Sequence, residues 1–224
     1  MNELPKVSEE YIARKKQHIV NAAYQLCLRK TVSTVTMQDI INETGLSQGG
    51  IYRFYRDIDE IFSAMVKEMR ERASIKEKVD IILAQTDLPP AKVTEQIFAM
   101  LADFMKSELM GVEKIDFEFS VLAMNEPERA DKIMKNISGI GNMEYLTMRT
   151  MDYVRQQTER GKLHPKVSAE ELLSYIASAY SGIQMQCIVA NCYQSENNPL
   201  SQLFQPEMQL NTLAKTVNFL LGET

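Results

Sequence analysis

The stretch from residue 36 to 56, TMQDIINETGLSQGGIYRFYR, constrains this chain more than any other feature. Thr36 has a side-chain oxygen that can cap the free amides of Gln38 or Asp39. Met37, Ile40 and Ile41 form the apolar side of a helix of about two turns. Thr44 and Gly45 stop it, with Gly45 suited to the left-handed position after a helix. Ser47 then caps a second short helix carrying Ile51, Phe54 and Tyr55. Two short helices across a tight turn, with Ile40, Leu46 and Ile51 as shared core, make a helix-turn-helix. Such a unit projects the N-terminal residues of its second helix into a DNA major groove. Gln48 faces outward there and can bond base edges, including a bidentate contact to adenine. Gly49 and Gly50 remove side-chain bulk, so the backbone can approach a duplex closely, and the free amides favour phosphate. Thr36, Ser47, Tyr52, Arg53 and Arg56 complete the expected DNA-contacting set. Phe54 and Tyr55 read as packing residues.

The flanking sequence is helical throughout. Ser8 caps a helix whose apolar positions Ile12, Ile19, Ala22, Ala23, Leu26 and Cys27 recur at three and four residues. Asp57 opens a further helix with Ile58, Ile61, Phe62, Met65 and Met69 on one side. Beyond Pro89-Pro90 the periodicity places helices near 90–109, 112–124, 127–160, 168–193 and 206–221, with Gly139 and Gly141 as a possible break in the third of these. Ser168 and Glu171 fit a capping box. The expected architecture is all-α, with about nine helices. It comprises a three-helix, helix-turn-helix DNA-binding domain over residues 1–57 and a helical ligand-sensing and dimerisation domain over 58–224.

The stretch from about Arg14 to Met65 resembles the N-terminal domain of the TetR (tetracycline-repressor-like) family. The resemblance rests on Ile19 with Ala22 and Ala23, the run Thr36 to Ile40, Gly45-Leu46-Ser47, Ile51-Tyr52, the aromatic pair Phe54-Tyr55, and Asp59-Glu60-Ile61. It covers about a quarter of the chain closely. Three positions depart from the pattern: Thr31 where glycine is frequent, Val35 where threonine is usual, and Ile58 where a phosphate-contacting lysine is common. Arg56, or the amides near Asp57, are the available substitutes.

The resemblance implies a bacterial transcription regulator that pairs through its last two helices in a four-helix bundle. Helix-turn-helix proteins usually pair, setting two reading helices about 34 Å apart on a palindromic operator. Leu172, Ile176 and Ile183 on one helix, with Leu213, Val217 and Leu220 on the other, are the candidate dimer stripes; the alternative is that they form core within one chain. Methionines and aromatics concentrate over 97–124 and 143–185, a composition that suits an adaptable apolar pocket. Met100, Phe104, Phe117, Glu118, Val121, Met148, Met151 and Tyr180 are its candidate lining. If Glu118 or the nearby Asp116 faced the pocket, it would favour a cation; otherwise each is a solvated or capping acid.

Composition bounds the remaining options. Of the net charge of −5, residues 1–56 carry eight Lys and Arg against five Asp and Glu, leaving the remainder at −8. A mildly basic head on an acidic body fits a protein that sets one end on phosphate. No apolar run approaches the roughly 20 residues a bilayer requires, and the N-terminus lacks the apolar stretch of a secretion signal, so a cytoplasmic protein with no membrane partner is expected. The three cysteines, Cys27, Cys187 and Cys192, and two histidines, His18 and His164, supply no metal-ligand cluster and no catalytic constellation. Neither a cofactor nor an enzyme activity is expected. The function read from these features is a repressor released from its operator by a small hydrophobic or cationic effector. The alternatives are a regulator controlled by a protein partner or by cysteine oxidation, and a helical small-molecule-binding protein without an operator.

Overall fold

A computed structural model describes residues 8–135, 137, 139–193 and 202–222. Every regular element among them is helical. The described residues fall into two compact units, within Met1–Arg72 plus Ile115–Gly139 and within Ala73–Lys114 plus Ile140–Thr224.

The first unit begins with α1 (Glu9–Arg29), in which the Ser8 hydroxyl accepts the Tyr11 amide and Glu9 and Glu10 sit at the positive end of the helix dipole. Its buried stripe is Ile19, Val20, Ala22, Ala23, Leu26 and Cys27. A single 3-10 turn (Val32–Thr34) leads to α2 (Met37–Thr44), α3 (Gln48–Tyr52) and α4 (Ile58–Arg72). Two later helices return to this unit: α7 (Lys114–Asn125), from Ile115 onward, and α8 (Pro127–Met134). The core joins Ile19, Ile40, Ile51, Ile61, Phe62 and Met65 to Ile115 and Ile133, all essentially inaccessible. Burying a side chain the size of Phe62 stabilises by about 1.5–3 kcal/mol. Phe62 also meets Phe119 of α7 edge to face, with ring centroids 5.7 Å apart.

Polar contacts fix the same assembly. The Ser63 hydroxyl donates to the Ile133 carbonyl at 2.6 Å. Arg129 Nε reaches Asp59 at 2.9 Å, and Lys132 Nζ reaches Asp57 at 2.8 Å and Asp59 at 3.1 Å. The first unit therefore continues past residue 57, where the sequence places a boundary, because α4 buries its apolar side in the same core as the helix-turn-helix.

The second unit holds α5 (Lys76–Leu83), α6 (Pro90–Glu108), a π-helical turn (Leu109–Glu113), α9 (Asn142–Glu159), α10 (Ala169–Cys192) and α11 (Pro206–Leu220). The π turn carries a non-helical residue, Gly111 (φ −120°, ψ −106°), which breaks the path from α6 into α7. Helix α6 packs on α11, α10 on α11, and α5 on both α6 and α9. Asn142 clips the start of α9 to the segment before α5: its Oδ1 accepts the Ile75 amide at 3.3 Å and its Nδ2 donates to the Ala73 carbonyl at 2.7 Å. The Ser168–Glu171 capping box forms as expected. Between α9 and α10 the chain runs beside the end of α11, where the His164 and Lys166 amides donate to the Leu221 and Leu220 carbonyls at 3.1 and 2.8 Å.

The helices expected near 36–44, 90–109, 112–124, 168–193 and 206–221 form with ends shifted by a residue or two. Two differences bring the expected nine helices to eleven α-helices among the described residues. Segment 127–160 is two helices, parted where Gly139 adopts φ +96°. Helix α5, only eight residues long with Val79 as its sole buried position, has too short an apolar stripe to announce itself.

Candidate functional site

The helix-turn-helix is built by three local caps. The Thr36 hydroxyl accepts the Asp39 amide at 3.2 Å, while the Asp39 carboxylate accepts the Thr36 amide at 2.9 Å and its hydroxyl at 2.7 Å. Gly45 takes φ +65° and donates its amide to the Ile41 carbonyl, ending α2. The Ser47 hydroxyl accepts the Gly50 amide at 3.2 Å, starting α3. Ile40 and Ile51 are fully buried and Leu46 half-buried, so the two helices share the expected core.

This leaves the tip of α3 outward. Gln48 and Gly49 are exposed and Gly50 is half-buried. The two glycines differ. A Cβ on Gly50 would meet Ser47 Oγ at 3.1 Å, whereas a Cβ on Gly49 would meet nothing within 4 Å. The fold itself leaves the space beside Gly49 open. Tyr52, Arg53 and Arg56 are also exposed, as are Thr36 and Ser47. All eight sequence-predicted DNA-contact residues thus lie on α2, α3 and their flanks, and all but Gly50 are exposed. Phe54 is half-buried and Tyr55 buried, as expected of packing residues. Burial, aided by the negative charge of Glu68 and Glu60, pushes the Tyr55 hydroxyl up to about 12.

The cations here are unequal. Lys30 Nζ is held by Asp39 at 2.7 Å and Arg29 by Glu43 at 2.8 Å. The Lys30 contact, then the Thr36 hydroxyl and amide, pull the Asp39 carboxyl down to about 2. The exposed Arg56 guanidinium is paired with Glu60, whose carboxylate also accepts the Arg56 amide at 2.8 Å. The guanidinium hydrogen bond, then that of the Arg56 amide, holds the Glu60 carboxyl below its ordinary value. Arg53 stacks over its neighbour Phe54 and Lys16 over Tyr55, contacts that leave both charges able to face an anion.

The second unit contains a cavity of about 360 Å³. Helix α6 lines it with Val93, Ile97 and Leu101, α9 with Leu146, Thr150 and Met151, α10 with Leu172, Ile176 and Tyr180, and α11 with Val217. Of the eight residues expected to line a pocket, Met151 and Tyr180 do so. Phe104 lies one turn past Leu101, the last lining residue of α6. Met100 is buried off the lining stripe, and Met148 is 47% exposed, one position past Thr147 on α9. Phe117, Glu118 and Val121 belong to α7 in the first unit. Glu118 is a buried acid whose Oε2 accepts the Val32 amide at 2.5 Å, so it caps the turn that precedes α2 and faces no cavity.

The expected dimer stripes are also placed differently. Leu172, Ile176 and Val217 line the cavity, Leu213 is buried in the second unit, and Ile183 and Leu220 are half-buried. The apolar side chains that α10 and α11 leave exposed are Tyr175, Met185, Met208 and Phe219. Sequence reasoning missed most of the cavity lining. The signal available was the i, i+3, i+4, i+7 spacing of Thr147, Thr150, Met151 and Val154. Among the described residues, no group of three or more His, Cys, Asp or Glu could hold a metal, and no helix is long and apolar enough to cross a membrane.

Among the described residues, a capped helix-turn-helix near the N-terminus is followed by further helices only. Residues 19–65 match the family model described as bacterial regulatory proteins, tetR family. The chain is 25% identical over 138 residues to the uncharacterized HTH-type transcriptional regulator YfiR of Bacillus subtilis, covering 58% of this chain and 62% of that one. It is 28% identical over 86 residues to the HTH-type transcriptional repressor Rv1474c of Mycobacterium tuberculosis, covering 38% and 46%. The matches therefore span less than two thirds of these curated relatives. The crystal structure of a TetR transcription regulator from Haloarcula marismortui superposes with a TM-score of 0.65 over 93% of this chain and 98% of that one, at 15% identity. Over residues 19–65, the segment that holds α2 and α3, the chain is similar to the tetR family of bacterial regulatory proteins.

Proposed function

We propose that the chain is a dimeric, ligand-responsive transcriptional repressor that grips a palindromic operator with two copies of α3. The observation that carries this reading is the accessible, side-chain-poor tip Gln48-Gly49-Gly50 on a helix whose first turn is fixed by Ser47. Gln48 reads a base edge, the α3 amides and Arg53 take phosphates, and Thr36 contributes from the start of α2. Arg56, tied to Glu60, is a weaker phosphate contact than its exposure suggests. The likeness to a protein named as a repressor supports the direction of control. A molecule in the second-unit cavity selects a state in which the paired heads no longer fit adjacent major grooves, and it does so only by binding that state more tightly. Control by oxidation has less support. Of the two cysteines that reading would use, Cys187 is buried, and burial, with Glu113 nearby, pushes its thiol up to about 11, far from a reactive thiolate, while Cys192 is half-buried against the Leu109 carbonyl and Met110.

The test is selection of bound sequences from random duplexes, followed by titration of the winner with wild-type protein, Gln48→Ala and Arg53→Ala. A palindrome should emerge. Gln48→Ala should lose about 1–3 kcal/mol of discrimination at one base pair of each half-site. Arg53→Ala should weaken binding to all sequences and flatten the salt dependence by about one unit per head. Failure to enrich any sequence at low salt, or wild-type affinity in both variants, would overturn the DNA-binding reading.

A further inference from the structure

We infer that the second-unit cavity takes an uncharged, largely apolar molecule and rejects cations and anions of the same size. This rests on the effector reading above and narrows it. Among the described residues, no Asp, Glu, Lys, Arg or His lines the cavity; the polar groups there are the hydroxyls of Thr94, Thr147, Thr150, Tyr153, Tyr180 and Ser181, and the rest is aliphatic or aromatic apart from methionine. The volume of about 360 Å³ falls at the small end of ligand sites. It corresponds to about a dozen waters, each occupying about 30 Å³ in the liquid.

Several charges on the surrounding helices are held by partners outside the cavity. Asp80 of α5 accepts from Tyr145 Oη at 2.7 Å and from Arg149 Nε at 2.8 Å. Asp152 is paired with Arg155 at 2.9 Å. Glu113 accepts from Gln184 Nε2 and does not line the cavity. Glu118, the acid that would have made the pocket cationophilic, lies in the other unit against the Val32 amide. A charged ligand would shed its hydration without meeting an opposite charge, which is the costly case. A neutral ligand meets no such penalty. The hydroxyls on α9 and α10 then supply orientation. The Thr150 hydroxyl donates to the Leu146 carbonyl at 2.8 Å, so towards a ligand it presents lone pairs. The best-matched molecule is a hydrophobic body with one or two hydroxyl groups that can donate to these oxygens.

The experiment uses two matched pairs of fluorescent probes with the full-length protein and no DNA. Diphenylhexatriene is compared with its trimethylammonium derivative, and N-phenyl-1-naphthylamine with anilinonaphthalene sulfonate. The neutral member of each pair should bind saturably and at least tenfold more tightly. Thr150→Asp places a carboxylate in the lining and should reverse the first pair's preference. Thr147→Asp, at an exposed lining position, gives the same test if the first variant fails to fold. A charged probe bound as tightly as its neutral partner, no saturable binding of either neutral probe, or an unchanged preference in a folded Asp variant would each overturn the inference. The same probes are then added to the operator complex. Neutral probes that fill the cavity and leave that complex intact sink the repressor mechanism while the ligand class stands. A preference for charged probes sinks the class while operator binding stands.

Discussion

The sharpest test of the α3 tip is to add a single methyl group, Gly49→Ala. In the free protein the new Cβ would meet no atom within 4 Å, and Gly49 does not adopt a positive φ. Replacing a helical glycine by alanine in open space stabilises by about 0.5–1 kcal/mol, mainly by restricting the unfolded chain. On DNA the expectation reverses. If the backbone at Gly49 closes against the duplex, the methyl overfills that contact, and overpacking costs about 1–3 kcal/mol. Even the low end, taken at both heads of a dimer, totals about 2 kcal/mol, or roughly a 30-fold rise in Kd. The variant should therefore unfold at higher urea concentration and yet bind the selected operator far more weakly. Urea denaturation and fluorescence anisotropy at one fixed salt concentration measure the two quantities; salt must be held constant because it shifts phosphate affinity steeply. Gly50→Ala is the internal contrast. Its Cβ would press on Ser47 Oγ at 3.1 Å, so it should lose the stability gain along with DNA affinity. Gly49→Ala with wild-type operator affinity would refute the close approach, whatever its effect on stability.

Three further outcomes follow from geometry. Asp39 has its folded pKa lowered from 3.8 to about 2, so the stability it contributes is present above about pH 4 and is lost as pH falls towards 2; Asp39→Asn should cost about 0.5–1 kcal/mol at neutral pH, given its solvent-exposed setting, and should shed that acid-limb slope in denaturation curves, so an unchanged slope would count against the role of the cap. Gly222 has φ +67° and an added Cβ would fall 1.9 Å from the His164 carbonyl oxygen; Gly222→Ala should destabilise by about 1–3 kcal/mol or more, and wild-type urea stability would show that the strap from His164 to Lys166 moves freely. Glu118→Ala removes a charged acceptor from the buried Val32 amide and should cost about 1.5–3 kcal/mol; hydrogen exchange at Val32 should accelerate in this variant and much less in Glu118→Gln, which keeps an acceptor, and equal rates in the two would contradict the assignment.

The head was legible because its decisions are local. Thr36 to Asp39, Ser47 to Gly50, and Gly45 after α2 are choices made within one turn of chain, and each appears in the structure as side-chain chemistry and backbone preference require. Register and long-range contacts were less legible. A segment rich in methionine and aromatics reveals that an apolar site exists without saying which face owns it. Met148 and Thr147 are adjacent, yet Thr147 lines the cavity and Met148 does not. Leu172 and Val217 show the same ambiguity. An apolar stripe suits a partner helix or a cavity equally well, and here the stripe is needed within the protomer.

Glu118 shows why the distant contacts also decide function. Flanked by Phe117 and Phe119, it reads as an acid embedded in an apolar pocket, and the ligand class inferred from it would be cationic. Its partner is an amide 86 residues earlier in the chain, which no local pattern can indicate. Assigning α7 to the unit that holds the helix-turn-helix makes Glu118 the capping acid of the two readings open to it, and narrows the expected hydrophobic or cationic ligand towards the neutral class.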